Sequence, residues 1–402
     1  MSDTREPHTQ SHTEATLPYT CYVNETIFAL ERQHIFLKEW TLVAREEEIR
    51  GPGDSLVLDV YGESIVLLRN LEGRLRGFHN VCQHRGTRIC PAAKEAATGD
   101  RISLKGGVVD KRAIVCPYHA WSYDLNGQLT HAPHMAAAKD FNIADIRLHS
   151  VAVESWAGFV FINLATSSCP DFGKMVAPFN NTYQRYPLAK LRTGHRIQYT
   201  VNANWKVLCE NFNECYHCGP VHPELCKVVP AFGQNGGVGL DWEKGIPHRD
   251  GATTFTKSGI SNRRTFPGLN ESEMTRHLGD LLYPNMFISL SSDYVVVCML
   301  QPKSANTTII DCYFLFEPYA MDQPEFDPSD AYEFWDVINQ QDWAICERVQ
   351  QGMSAVVHTT GYIGGTEKGM LSPMEDWSLD IKHYVLARIG QHLNLKKQVS
   401  NS

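Results

Sequence analysis

The chain has 402 residues, 43% of them apolar and 20% charged, with a formal net charge of −8. These values describe an ordinary globular protein with room for two or more domains, and the mild acidity leaves no basic block of the kind a nucleic-acid surface requires. No apolar run approaches the roughly 18 residues of a membrane span. The 12 cysteines, in a chain whose N-terminus carries no secretory signal, point to a reducing compartment, where clustered Cys and His mean metal or catalysis. A cytoplasmic enzyme is the expectation.

The opening MSDTREPHTQSHTEATLPYT is polar and reads as a disordered lead-in. Apolar residues at helical spacing (Ile27, Phe28, Leu30, Ile35, Phe36, Trp40) predict one or two helices over roughly residues 25–50. LVLDVYGESIVLLRNLEGRLRGFHNVC then alternates β-rich runs with turn signals at Gly62, Glu72-Gly73 and Gly77, predicting consecutive antiparallel strands. The β character resumes in AIVCPYHAWSYDLNGQL, with an Asn126-Gly127 turn, and continues through VESWAGFVFINLA. Three segments follow: 1–39, a disordered N-terminus and lead-in helix; 40–165, a small all-β domain; and 166–402, a second domain.

The second domain begins with VAPFNNTYQRY, helical in texture, and NWKVLCENFNECYHCGPVHPEL. MFISLSSDYVVVCML and TTIIDCYFLFEPY, joined by QPKSAN, predict an antiparallel hairpin. AYEFWDVINQQDWAICERVQQGM and a run over roughly 377–393 predict closing helices. A β-sheet covered by late helices makes the fold class α+β.

Two mixed Cys/His pairs stand in the all-β region, Cys82 with His84 and Cys116 with His119. Two thiolates and two imidazoles can hold one tetrahedral zinc. Each pair here is mixed, however, which suits a [2Fe–2S] cluster whose one iron takes both thiolates and the other both imidazoles. The second pair also runs into an aromatic strand and a turn, where a zinc finger would have a helix. Cys90 reads as a structural or incidental thiol.

CQHRG and CPYHAWSYDLNGQL resemble the Rieske motif of bacterial Rieske non-haem iron oxygenases, Cys-x-His followed by Cys-x-x-His. The spacer is longer than that family's, and residues 91–111 read as a surface insertion, tolerated because loop-closure entropy grows slowly with length. The resemblance implies a small all-β Rieske domain and a helix-grip catalytic domain. It also implies a mononuclear Fe(2+) site supplied with electrons from NAD(P)H by a separate flavin/iron–sulfur reductase. O2 is the co-substrate, and hydroxylation or N-demethylation of a small molecule is the implied outcome.

The iron donors expected in NWKVLCENFNECYHCGPVHPEL are His217 and His222. In an unbroken helix a five-residue step would leave them roughly 140° apart. Gly219-Pro220 is expected to break the helix and turn His222 back. Glu214, three residues before His217, is a neighbour on the same helical face. Two histidines and one carboxylate make the facial triad of non-haem iron. By resemblance to the family's C-terminal helix, Asp342 supplies that carboxylate, with Glu210 as a rival and Glu347 in a supporting role. Cys209, Cys215, Cys218 and Cys226 read as small buried apolar residues.

Most of the family carries aspartate at the position of Glu214, where it bridges a Rieske histidine of one subunit to an iron histidine of the next in a homotrimer. Glutamate there resembles the branch acting on quaternary ammonium compounds, the glycine betaine and stachydrine demethylases and carnitine oxygenases. A cationic substrate calls for aromatic faces, with Trp242, Phe255, Phe266, Tyr283, Phe287, Tyr294 and Tyr313 as candidates. A substrate carboxylate would call for Lys257 or Arg263-Arg264. The competing readings are an aromatic-acid hydroxylase or O-demethylase of the same family, and a Rieske electron carrier without oxygenase activity.

Overall fold

The computed structural model describes residues 13–91, 109–110, 112–166, 168–359, 368–375 and 377–393. The chain divides into two compact units, Phe36–Asn181 on one hand and Met1–Ile35 with Thr182–Ser402 on the other. The first reaches beyond 40–165 at both ends, and the N-terminal segment belongs with the second. Among the described residues no helix is long and apolar enough to cross a membrane.

In Phe36–Asn181, a six-stranded antiparallel sheet runs in the order Thr41–Arg45, Phe159–Asn163, Ser150–Trp156, Leu75–His79, Glu63–Arg69, Ser55–Val60. A four-stranded sheet is built from Val109–Asp110, Ala113–Val115, Ser122–Tyr123 and Leu129–His131. Thr41–Arg45 is a fully buried strand, so the helical expectation for 25–50 ran too far. A short apolar run with both faces covered shows no period that separates strand from helix. Gly77 lies inside a strand and not at a turn. A side-chain carbon there would come within 2.9 Å of Val153 Cγ2, so its absence lets the neighbouring strand pack. Gly127 does form the expected turn, at φ +82°. Of the 91–111 insertion, only Pro91 and Val109–Asp110 fall within the described residues.

In the other unit, Glu14–Pro18 is a strand paired antiparallel with Lys368–Leu371, where a disordered lead-in was expected. The pairing partner lies at the far end of the chain, beyond the reach of any local pattern. Residues 1–12 of that lead-in lie outside the described residues. A helix follows at Glu25–Glu31, started by Asn24, whose side-chain oxygen accepts from Thr26 N at 2.8 Å and Ile27 N at 3.2 Å. It docks through Glu31, which accepts from Lys206 Nζ at 2.5 Å and Trp205 Nε1 at 2.8 Å.

The main sheet of this unit is antiparallel, in the order Arg192–Val201, Thr307–Phe316, Val295–Ser304, Met286–Leu290, Arg276–Leu282, Ile246–Pro247. The expected hairpin is a three-stranded meander. MFISLSSDYVVVCML divides at residues 291–294, where Ser291 N donates to Tyr294 O at 3.0 Å, and QPKS continues the strand Val295–Ser304. The long helix Ser329–Met353 crosses one face of this sheet, stacking Tyr332 on His195 at 3.7 Å and setting Asn339 Nδ2 3.9 Å from Cys312 Sγ. Helices Trp205–Phe212 and Ser378–Ile389 complete the cover. The α+β class and the helix-covered antiparallel sheet are as the sequence predicts.

Candidate metal centres

The first donor set sits on two loops of matching construction. Cys82 O accepts from Gly86 N at 3.0 Å, and Cys116 O accepts from Ala120 N at 3.1 Å, so each loop closes over four residues. Gly86 and Ala120 both take positive φ, +71° and +58°, which lets each chain reverse after presenting its histidine. Cys82 and Cys116 are both buried, whereas His84 and His119 are exposed at the surface. Tyr123 Oη lies 3.2 Å from Cys82 Sγ and accepts from Gln83 N at 3.0 Å, and His84 stacks on Trp121 at 4.7 Å. The His84 and His119 ring centroids are 4.7 Å apart. Burial, with Cys82 alongside, pushes the Cys116 thiol up, a preference that a coordinated metal reverses. Two sulfurs inside and two imidazoles outside suit a cluster with one buried and one exposed iron. Cys90 is buried in the core near these loops, its backbone tied to Asn80, with its thiol pushed by burial to about 11.

The second set lies where three segments meet. Helix Trp205–Phe212 ends before Glu214, and His217 opens the short helix Cys218–Val221. Gly219 and Pro220 lie within that helix and do not break it. The redirection occurs at His222 (φ −119°, ψ 70°), immediately before Pro223, which starts the next helix. A residue before proline is driven out of the helical region, and this turns the His222 ring toward His217. Their centroids are 5.2 Å apart.

Asp342 arrives from the long helix. Its Oδ1 lies 2.9 Å from His222 Nε2 and 3.3 Å from His217 Nε2. Behind these atoms, His217 Nδ1 donates to Glu214 Oε1 at 2.5 Å, and His222 Nδ1 donates to Gln341 Oε1 at 2.9 Å. The amide orientation of Gln341 follows from its Nε2, which donates to Glu224 Oε2 at 3.0 Å. Both Nδ1 atoms therefore carry the proton, and both Nε2 atoms face Asp342. Burial opposes charge on His217, yet Asp342 and Glu214 outweigh it and hold the imidazolium up to about 10. Burial also opposes charge on Asp342, and hydrogen bonds from His217 and His222 outweigh it to hold that carboxyl below its ordinary range. The same negative surroundings that favour a charged imidazole would favour a divalent cation between these groups. This donor set fits Fe(2+).

The other candidates fall away from this point. Glu210 accepts from Tyr22 Oη at 2.5 Å, and Glu347 accepts from Asn202 N at 2.8 Å. His217, Cys218 and His222 together place donor atoms within 4.8 Å of one another, but Cys218 is bonded to Cys215 as a disulfide and its sulfur is committed. That corrects the reading of these two cysteines as plain apolar residues. Cys209 is buried and free, and Cys226 is free and half-buried.

Among the aromatic candidates, Phe255 and Tyr294 belong to one cluster and Phe287 stacks on Phe212 at 4.2 Å. Trp242 lies on Phe232, Phe266 on Tyr186 and Tyr283 on Tyr384, while Tyr313 lies under Arg196. Each candidate cation has an acid of its own: Arg263 holds Asp293 and Asp330, Arg264 holds Glu317, and Lys257 faces Glu333. Trp335 was not foreseen; it lies seven residues before Asp342, two turns away on the same face of the helix.

A Rieske [2Fe–2S] domain matches residues 39–147, and a ring-hydroxylating alpha subunit (catalytic domain) matches residues 188–380. The chain belongs to the Rieske oxygenases, as an alpha, terminal oxygenase subunit, with a [2Fe–2S] cluster and a mononuclear iron as its cofactors. It is 30% identical to the carnitine monooxygenase oxygenase subunit of Acinetobacter pittii, over 85% of each chain. It is 28% identical to the glycine betaine monooxygenase oxygenase subunit of Pseudomonas aeruginosa, over 90% of this chain and 88% of that one. Among solved structures, the quaternary ammonium Rieske monooxygenase CntA in complex with L-carnitine matches with a TM-score of 0.69 at 25% identity, covering 94% of this chain and 96% of that one. Naphthalene 1,2-dioxygenase from Rhodococcus sp. shares the fold, with a TM-score of 0.65 at 17% identity over 95% of each chain.

Proposed function

We propose that this oxygenase hydroxylates a carbon bound to the nitrogen of a small quaternary ammonium compound, betaine-like in size. The observation that carries the reading is Glu214, bonded to His217 beside the His222–Asp342 pair, in a chain whose relatives are named for glycine betaine and carnitine. In this reading Cys82, His84, Cys116 and His119 hold the cluster, and His217, His222 and Asp342 hold the mononuclear iron. The bound iron supplies O2 activation with open positions for O2 and substrate. The chain's own residues do the rest. Glu214 and Gln341 hold the Nδ1 protons and fix both imidazole planes, and Asp342 supplies the negative charge the cation needs. If the hydroxylated carbon is an N-methyl group, the hemiaminal releases formaldehyde and the demethylated amine.

Electrons come from NAD(P)H through a separate reductase, in keeping with relatives that are named as oxygenase subunits. Glu214 serves as the bridge to the Rieske histidine of a neighbouring copy in a homotrimer; inter-subunit electron transfer is described for CntA. Dependence on reduced nicotinamide supports a bacterial cytoplasmic location as part of this reading.

Purified protein assayed with a reductase and NADH against glycine betaine, carnitine, stachydrine and aromatic acids tests the reading. Formaldehyde release coupled to NADH consumption is expected from a quaternary ammonium compound. Turnover of aromatic acids alone would move the protein to the other branch of the family. Iron analysis should find a third iron beyond the two of the cluster.

A further inference from the structure

His277 is 95% buried, at 5% exposure, and its Nδ1 has no hydrogen-bond partner. His248 has both ring nitrogens buried and unpartnered. The Ala252 carbonyl near His248 favours its protonated ring without reaching hydrogen-bond geometry. Buried polar groups are nearly always paired, and leaving one unpaired costs about 1–3 kcal/mol. Three orphaned nitrogens in one place therefore need a reason.

Their surroundings supply one. The two rings flank Phe255, with His277 stacked on it at 4.0 Å and His248 tilted against it at 4.9 Å. Trp335 closes the group, 5.9 Å from Phe255 and 6.0 Å from His277. Tyr294 ties the Trp335 ring to the Phe255 backbone, accepting from Trp335 Nε1 at 2.8 Å and donating to the Phe255 carbonyl oxygen at 2.5 Å. Gly279, two residues on, is solvent-exposed, and a side-chain carbon there would sit in van der Waals contact with His277 Nε2 and Ile288 O at 3.8 Å and with Phe212 Cζ at 4.0 Å, so position 279 borders the outer nitrogen of His277. Trp335 and Asp342, two turns apart, are separated by roughly 10 Å along the helix axis. That is about the length of one small substrate.

We infer that His248 and His277 form the seat for a substrate carboxylate, beside Trp335 and two helical turns from Asp342, and that Phe255 and Trp335 wall the path between. Burial keeps both imidazoles neutral, His248 down to about 4 and His277 well below its ordinary value, so each presents one N–H donor. A carboxylate accepts from both without needing a cation. This matters because Lys257, Arg263 and Arg264 are already paired with carboxylates.

The inference rests on the quaternary ammonium reading, and three probes separate the two. Glycine betaine carries both charges, choline keeps the ammonium and replaces the carboxylate with a hydroxymethyl group, and 3,3-dimethylbutanoate keeps the carboxylate on a neutral carbon skeleton. Equilibrium binding to the iron-loaded enzyme, by calorimetry, should favour betaine over choline at least tenfold. His277→Phe and His248→Phe should reduce that ratio to near one, and His277→Gln should restore part of it. Because both ligands are read on the same protein, a general folding defect does not imitate a lost ratio. Gly279→Val, which adds carbons in contact with His277 Nε2, should weaken betaine more than choline and provides an arm independent of the histidine variants. A wild-type ratio near one, or an unchanged ratio in the phenylalanine variants, overturns the seat. If 3,3-dimethylbutanoate binds like betaine, through the histidines, while choline does not bind, the seat stands and the ammonium reading falls.

Discussion

Gln341 and His222 meet at 2.9 Å, Gln341 Oε1 accepting from Nδ1, while the adjacent residue Asp342 faces Nε2 of the same ring at 2.9 Å. Two consecutive positions of one helix thus hold both nitrogens of one imidazole. Gln341→Ala should lower iron affinity ten- to a hundred-fold while leaving the cluster spectrum intact, the usual cost of losing an outer partner of a ligating histidine. Gln341→Glu keeps the acceptor but faces the Glu224 carboxylate, so it should recover most of the affinity only when paired with Glu224→Gln. Metal titration against a chelator reads both, and equal affinities in Gln341→Ala and wild type would remove Gln341 from this role.

Glu214→Gln keeps an oxygen that can accept from His217 Nδ1 and removes the charge. Iron content and the visible spectrum of the cluster should stay at wild-type levels, while turnover driven by the reductase drops by an order of magnitude or more. Stopped-flow oxidation of the reduced cluster is the sensitive measurement. Undiminished electron transfer would assign Glu214 to shaping the loop alone, where it also accepts from Tyr216 N.

The buried pair Glu31–Lys206, with both side chains at 0% exposure, makes a prediction about stability. Glu31→Ala strands a charged lysine in the interior and should cost about 3–5 kcal/mol. Replacing the pair together, Glu31→Gln with Lys206→Met, should cost much less. Urea denaturation followed by far-UV circular dichroism compares the two, and similar losses would show that the charge pairing is not what matters.

Burial raises the Glu210 carboxyl from 4.5 to about 7, with Tyr22 and Lys206 opposing. The folded protein holds this proton up to about pH 7, while the unfolded chain releases it near 4.5. Between those values the folded state binds more protons, so this group's contribution to stability is present at low pH and declines as pH rises toward 7. The full swing is on the order of 3 kcal/mol, and the sliver of Glu210 still touching solvent keeps the effect at or below that. Glu210→Gln should flatten this part of the stability profile and raise stability at pH 8 relative to wild type. A steeper profile in the variant would contradict the assignment.

The two Cys/His loops, the His217/His222 pair, the late helix carrying Asp342 and the antiparallel sheet were legible because each is written in a short local pattern: ligand spacing, period-two alternation, or a helical apolar stripe. What the local pattern misjudged was direction and partnership. Gly219-Pro220 looked like the breaker, yet Pro223 acts, through the residue before it. Gly77 looked like a turn, yet it serves strand packing against Val153. Cys215 and Cys218 stand at Cys-x-x-Cys spacing, a signal of pairing that the reading as plain apolar residues passed over.

Residue types and spacings singled out the candidate donors, because ligands must come as particular atoms at particular intervals, and the resemblance to the Rieske oxygenases selected a cluster over zinc and pointed to Asp342. Only the tertiary structure could decide that Glu31 neutralises Lys206 across 175 positions, that residues 14–18 pair with 368–371, and that His248 and His277 converge on Phe255 with unpaired nitrogens. Burial, charge compensation and unsatisfied hydrogen bonds are properties of neighbours in space, and those neighbours lie too far apart along the chain for any local signal to join them.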